Sequence, residues 1–499
     1  MSSQPSDPRC DHDGRLSVLD GSFLRVESGQ AHMHMGFSTV FAAPADRPRP
    51  SVEALRERAA SRLHEVPWCR WRLEAPPLGL SEPRWVADVD FDLRAHIVQL
   101  TTPEDHVDDE RFDALRSEVF STPLDRARPL WQIFLVPRLQ DGRVALIGKV
   151  HHALVDGMGA LQFATLMFDA EPDPEPCTTS PSAMPWRPRN RAGRVGWTLD
   201  AIGQMLDDGL GALREVATAV THPEATAGRV VRAAKLIAGA VLDDVLPHAP
   251  QSALNTTIGS RRTLVGYRAS RDDLSAARAG GGTLNDIGLA VVAGALRTLA
   301  LRHDEQPDAP LKAMIPVSTR AINDTAAGNQ IAMVSIPLPI HLTSARARLD
   351  FVREQTRLLK HSDRPAGIEA LYQAAGLLPP LLRSPVARAL AAPRQFNLTI
   401  SNPPAPRGSL YLLGCELQEV YSVVPLVQGH ALAIGMVRYR RELFLSCYAD
   451  PNALEDAHDL PALLEAELHA LAPTAEPDTT APRTSQANGK SRAAPLVTA

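Results

Sequence analysis

The stretch Arg143-Val-Ala-Leu-Ile-Gly-Lys-Val-His151-His152-Ala-Leu-Val-Asp156-Gly157-Met-Gly-Ala-Leu-Gln-Phe-Ala-Thr-Leu-Met-Phe168 decides how this chain is read. Its first part is a short apolar run that reads as a buried strand ending in a loop, and its last part places Leu161, Thr165 and Phe168 at helical intervals. The two histidines therefore fall at a strand-to-helix junction. A neutral imidazole at the mouth of a strand can take a proton from an alcohol, amine or thiol, because its unperturbed pKa lies near working pH. Asp156 can turn back in a tight loop and fix neighbouring backbone or an arginine, and Gly157 permits the close backbone approach of such a turn. Taken alone, a His-His pair at a strand end is equally the mark of buried, hydrogen-bonded structural residues.

Working outward, the segment Val52 to Leu63 reads as an amphipathic helix, and the composition changes at Glu171. Prolines every few residues in EPDPEPCTTSPSAMPWRPRN exclude a helix there, so an exposed linker divides the chain into halves. Trp197 to Val220 and Arg229 to Leu246 carry apolar residues at helical intervals, and these helices are expected to cross between the halves. The second half mixes strands at Lys312 to Pro316, Gln330 to Ile340, Phe396 to Ser401, His430 to Arg438 and Glu442 to Tyr448 with helices. Thr283 and Asp286 have the spacing of a capping box for a helix over Leu284 to Leu301. The expected division is a disordered N-terminus over 1–13, a first half over 14–180, linker and crossover helices over 181–250, a second half over 251–471 and a disordered tail over 472–499.

Composition removes several classes of function. Hydrophobic residues are 44% and charged residues 22%, the usage of a globular chain. The 57 Asp plus Glu outnumber the 52 Lys plus Arg, so there is no overall electrostatic footprint for nucleic acid. Cys10, Cys69, Cys177, Cys415 and Cys447 form no Cys-x-x-Cys pair, which argues against a disulfide framework and a zinc cage and favours a reducing cytosol. The polar start, MSSQPSDPRCDHDGR, lacks the apolar core of a signal peptide. The uncharged run near Val420 to Val437 holds Pro425 and Gly429 and reads as two strands and a turn rather than a membrane span. The expected location is cytoplasmic, with peripheral contact to a membrane or lipid droplet.

The His151-His152-x-x-x-Asp156-Gly157 pattern resembles the motif of CoA-dependent acyltransferases, which include chloramphenicol acetyltransferase and peptide-synthetase condensation domains. Further blocks narrow the resemblance to the bacterial wax ester synthase/acyl-CoA:diacylglycerol acyltransferase family. These are Leu16-Ser-Val-Leu-Asp20-Gly-Ser-Phe23, Met33-His-Met-Gly36, Pro129-Leu130-Trp131, Leu254 to Arg262, Asn285-Asp286, Pro316-Val-Ser318-Thr-Arg320, Gly328-Asn329, Ser401-Asn402-Pro403 and Ala449-Asp450, in the expected order. The resemblance implies an α/β fold of two chloramphenicol-acetyltransferase-like domains, each a mixed β-sheet flanked by helices, with the active site at their interface. It implies His152 as general base, with His151, Asp156 and Gly157 around it. Asn285, Asp286, Trp131, Ser318, Arg320, Asn329 and Asn402 are then substrate-binding or supporting residues. Acyl-CoA is the implied co-substrate and diacylglycerol or a long-chain alcohol the acceptor, with no metal or prosthetic group.

Each block also has an ordinary structural explanation. Thr283 and Asp286 cap a helix, Trp131 packs in a core, and Arg261-Arg262 is by default a solvated pair, although a CoA phosphate would suit it. Pro403-Pro404-Ala405 and Arg438 to Glu442 depart from the family pattern in turns near the C-terminal strands, which puts substrate range in question. Other readings are a glycerolipid acyltransferase using the His151-x4-Asp156 spacing, a metal hydrolase using His32, His34, His151 or Asp156, and a catalytically silent lipid-binding protein.

Overall fold

In the computed structural model, residues 16–43, 47–75, 82–101, 106–155, 157–174, 223–318, 331–376, 378, 380–403 and 408–472 are described. Strands in chain order are β1 (His34–Phe41), β2 (Trp71–Glu74), β3 (Arg84–Ala87), β4 (Ile97–Gln99), β5 (Trp131–Val136), β6 (Val144–His151) and β7 (Thr263–Ala269). They continue with β8 (Leu311–Ser318), β9 (Ile331–Leu338), β10 (Leu398–Ser401), β11 (Tyr411–Leu412), β12 (Cys415–Val423), β13 (Leu432–Tyr439) and β14 (Glu442–Ala449). Among the described residues they form a six-stranded sheet ordered β11-β12-β1-β6-β5-β4, a six-stranded sheet ordered β7-β14-β13-β10-β8-β9, and a β2-β3 hairpin. Both large sheets are mixed: β4 runs parallel to β5, and β10 runs parallel to β8 and β13, while the other pairs are antiparallel.

The uncharged run before Val437 forms two strands as expected, but in different sheets. β12 leaves the second half and pairs with β1, while β13 stays in the second sheet. Each sheet is thus fastened to the other through the short connection between them. Where they meet, Ser446 Oγ on β14 donates to the Ser422 carbonyl on β12 at 2.5 Å. Tyr421 lies over Gly266, where a Cβ would stand 2.4 Å from the ring.

β6 is buried along its whole length, which explains its unbroken apolar text. Gly148 is required there, because a Cβ would stand 2.3 Å from the Phe37 ring on the paired position of β1. One core joins both halves, with Phe112, Val119 and Ile147 packed in the same cluster as Leu264, Val291 and Ile434. The helix Leu284–Arg302 runs through it and is long and apolar enough to cross a membrane, yet 67% of its apolar window is buried inside the protein. The crossover helix Pro223–Ala240 continues into a π-helical turn, Val241–Val245, and packs on the helix Arg364–Gly376. Asp244 in that turn accepts from Ser335 N–H and Oγ at 2.8 Å and pairs with Arg364. The call of a helix over Trp197 to Val220 lies outside the described residues.

Candidate active site

β6 ends at His151, and the helix Gly157–Thr165 follows, so the motif occupies the strand-to-helix junction read from the sequence. Two neighbouring lead-in segments lock its backbone. The N–H of His151 donates to the Leu130 carbonyl and that of His152 to the Met33 carbonyl, both at 2.9 Å. A turn closes when Leu154 N–H donates to the His151 carbonyl at 2.9 Å. The Pro129-Leu130-Trp131 and Met33 blocks therefore have a direct physical connection to the histidines. Asp156 lies outside the described residues, as do Arg320 and Asn329.

His152 is half-buried, and the Phe23 ring stacks on it at 3.9 Å with planes 15° apart. Its Nδ1 is sealed from solvent without a hydrogen-bond partner, which leaves Nε2 as the nitrogen open to a substrate. Burial lowers its pKa to about 4, its own backbone opposing the shift and His151 adding to it. The ring is therefore neutral near pH 7, the state a proton acceptor needs.

His151 is fully buried and faces the other way. Its Nδ1 accepts from Ala153 N–H at 3.0 Å, and its Nε2 stands 3.5 Å from Glu27 Oε1. Burial pushes the Glu27 carboxyl up, but His151 and Arg126 outweigh it and hold the group at about 2. Further along the same face, Lys149 donates to the Val119 and Thr122 carbonyls at 2.9 and 2.7 Å, capping the C-terminus of the helix Asp109–Ser121. Burial lowers that ammonium to about 8. His34 sits opposite His151 in register, with ring centroids 6.2 Å apart, and burial drives it well below the usual imidazole range.

The remaining sequence-predicted residues divide by role. Trp131 is completely buried, stacks on His96 at 4.5 Å and donates from Nε1 to the Cys69 carbonyl at 2.8 Å, so its contacts are those of the core. Asp286 completes the capping box, accepting from Thr283 N–H and Oγ1 at 2.8 Å, and also accepts from Thr356 Oγ1 at 2.7 Å. Replacing it with alanine is expected to cost about 1–3 kcal/mol, read as a lower midpoint of chemical denaturation. An unchanged midpoint would remove the capping explanation. Asn285 Oδ1 accepts from Asn402 Nδ2 at 3.2 Å, which brings two distant sequence blocks together. Ser318 ends β8 opposite Ile331.

Arg262 corrects the solvated-pair expectation. Arg261 is exposed, but Arg262 is buried and donates to the carbonyls of Gly259, Arg261 and Gln30, with Asp450 at 3.9 Å. It is occupied as an internal strut. Sequence reasoning missed Phe23 and Glu27 as neighbours of the histidines. Their spacing of four carried the signal, because positions i and i+4 share one face of a helix. Among the described residues no three His, Cys, Asp or Glu side chains converge as metal ligands do.

The overall architecture recurs among solved structures. The chain is similar to a starter condensation domain of rhizomide synthetase solved with C8-CoA and Leu-SNAC, at TM-score 0.56 and 13% identity over 92–98% spans of 94% of this chain and 96% of that one. It is also similar to the wax ester synthase/diacylglycerol acyltransferase from Marinobacter aquaeolei VT8, at TM-score 0.61 and 24% identity, covering 92% and 98% of the two chains. At these identities the likeness establishes the fold, the two-domain architecture shared with condensation domains. Residues 16–288 match the wax ester synthase/diacylglycerol acyltransferase catalytic domain, and residues 327–472 match the C-terminal domain of the same family. A probable diacylglycerol O-acyltransferase of Mycobacterium tuberculosis is 30% identical over 91% of this chain and 97% of its own length. Another, putative, from the same species is 31% identical over 84% and 91%. The chain belongs to the wax ester synthase/diacylglycerol acyltransferase family.

Proposed function

We propose that the protein is an O-acyltransferase that moves a fatty acyl group from acyl-CoA to the hydroxyl of diacylglycerol, a long-chain alcohol or both. The observation that carries the proposal is the state of His152: neutral, with Nδ1 sealed and Nε2 open, in the junction of the family's motif. Nε2 takes the hydroxyl proton as the oxygen attacks the thioester carbonyl. Collapse of the tetrahedral intermediate breaks the carbon–sulfur bond, and the proton passes from Nε2 to the leaving sulfur. Ester and free CoA thiol result, with no net proton change. Burial disfavours the imidazolium in the free enzyme, but in the transition state an oxyanion forms beside it and offsets that cost.

The alternative motif histidine, His151, is committed to Ala153 and faces Glu27, which supports assigning the base to His152. A peripheral seat on a membrane or lipid droplet is supported by exposed Val231, Leu242 and Leu246 on the crossover helix and its π-helical turn. The direct test offers labelled palmitoyl-CoA with diacylglycerol and hexadecanol separately and resolves products by thin-layer chromatography. Labelled triacylglycerol, wax ester or both is the expected result. Folded protein that transfers to neither acceptor would move the assignment to a silent lipid-binding member of the family.

A further inference from the structure

We infer that Glu27 is a positioning residue for this acyl transfer, holding His151 in one tautomer so that the turn after it aims His152. The inference rests on the acyl-transfer reading above. His151 Nδ1 accepts the Ala153 N–H at 3.0 Å, and accepting requires a lone pair there. The neutral ring must then carry its proton on Nε2, the nitrogen 3.5 Å from Glu27 Oε1. The opposite tautomer would set Nδ1–H against Ala153 N–H and open the turn. Nε2 is sealed from water, so Glu27 is the acceptor placed to receive its proton.

Glu27 is itself well held. It is the C-cap of the helix Val18–Val26, its side chain is 11% exposed, and Arg126 pairs with its carboxylate. Other titratable groups near this side of the ring are His32, His34 and Lys149, and none of them supplies a carboxylate. Removing the Glu27 side chain would strand a buried N–H and free the imidazole to turn over. Phe23, one helical turn earlier, rests on His152, so a single helix steadies both adjacent rings from one face. Glu27 touches His151 and not the reacting atoms.

The test uses the full chain with Glu27→Ala, Glu27→Gln, His151→Ala and the Glu27→Ala/His151→Ala pair. Glu27→Ala is expected to lower kcat by about 10–100-fold with KM for palmitoyl-CoA changed less than about threefold, the pattern of misplaced chemistry rather than lost binding. Glu27→Gln should recover most of the loss, because its amide oxygen can accept the Nε2 proton. The double variant should be no slower than His151→Ala alone. Two-bond proton–nitrogen correlation spectra of histidine-labelled protein, with His151 assigned by its disappearance in His151→Ala, should show an Nε2-protonated ring that becomes a tautomer mixture in Glu27→Ala. Wild-type kcat in Glu27→Ala, additive effects in the double variant, or an Nδ1-protonated His151 in the wild type would overturn the inference. If the wild type transfers no acyl group, the acyl-transfer reading fails, while the spectra still decide whether Glu27 sets the tautomer. Should Glu27→Ala fail to fold, Glu27→Gln and the wild-type spectrum decide the question.

Discussion

Replacing His152 with alanine is expected to lower kcat for acyl transfer by about 10²–10⁴-fold, the range that a positioned proton acceptor supplies. No second group stands ready to replace it: His151 is held by Ala153 and faces Glu27, and His34 is buried against the Leu124 N–H. The measurement is turnover of labelled palmitoyl-CoA at saturating acceptor, with circular dichroism to show that the fold survives. A variant retaining wild-type kcat would mean that another group is the base. The wild-type pH profile provides an independent check. With the His152 pKa lowered to about 4, the acid limb of kcat/KM should fall near pH 4 rather than near the ordinary imidazole value of about 6.5. The same shift makes a stability contribution that is present above the unfolded-state pKa and is lost as pH falls through the folded value.

Arg262→Ala is expected to be the most destabilising single change, about 3–5 kcal/mol, because it strands a buried opposite charge. Arg262 is 1% exposed, and Asp450 is 0% exposed. The arginine also satisfies three carbonyls, including that of Gln30 in the first half. Urea unfolding monitored by tryptophan fluorescence measures the loss. The pair Arg262→Met/Asp450→Asn should recover part of it, since no charge is then left unpaired. A single variant that melts with the wild type would show that water or a neighbour replaces the guanidinium.

Local features of this chain were legible because local rules govern them. The strand Val144–His151, the helix Leu284–Arg302 and the capping pair Thr283 and Asp286 lie where periodicity and capping chemistry put them. The His151-His152 junction was legible for the same reason, and its surroundings were not. That Glu27 reaches His151, that Asn402 meets Asn285, and that β12 joins the first sheet all depend on register between segments far apart in sequence. Hydrophobic pattern tells which face of a strand is buried but not which strand it will lie beside. Arg262 was misread on the same account: charge predicts solvent, and only the converging carbonyls and Asp450 make a buried guanidinium acceptable.

The excursion of β12 also sets an order of events during synthesis. β1 must lie between β6 and β12, but β12 is the segment Cys415–Val423 and leaves the ribosome long after the rest of its sheet. Until then one edge of β1 has no partner, and unpaired strand edges invite association with other chains. The first half can collapse early but cannot be finished before the second half has nearly been made. Maturation of this protein is therefore a single late closure rather than two successive foldings, and the nascent chain has its greatest need of chaperoning in that interval.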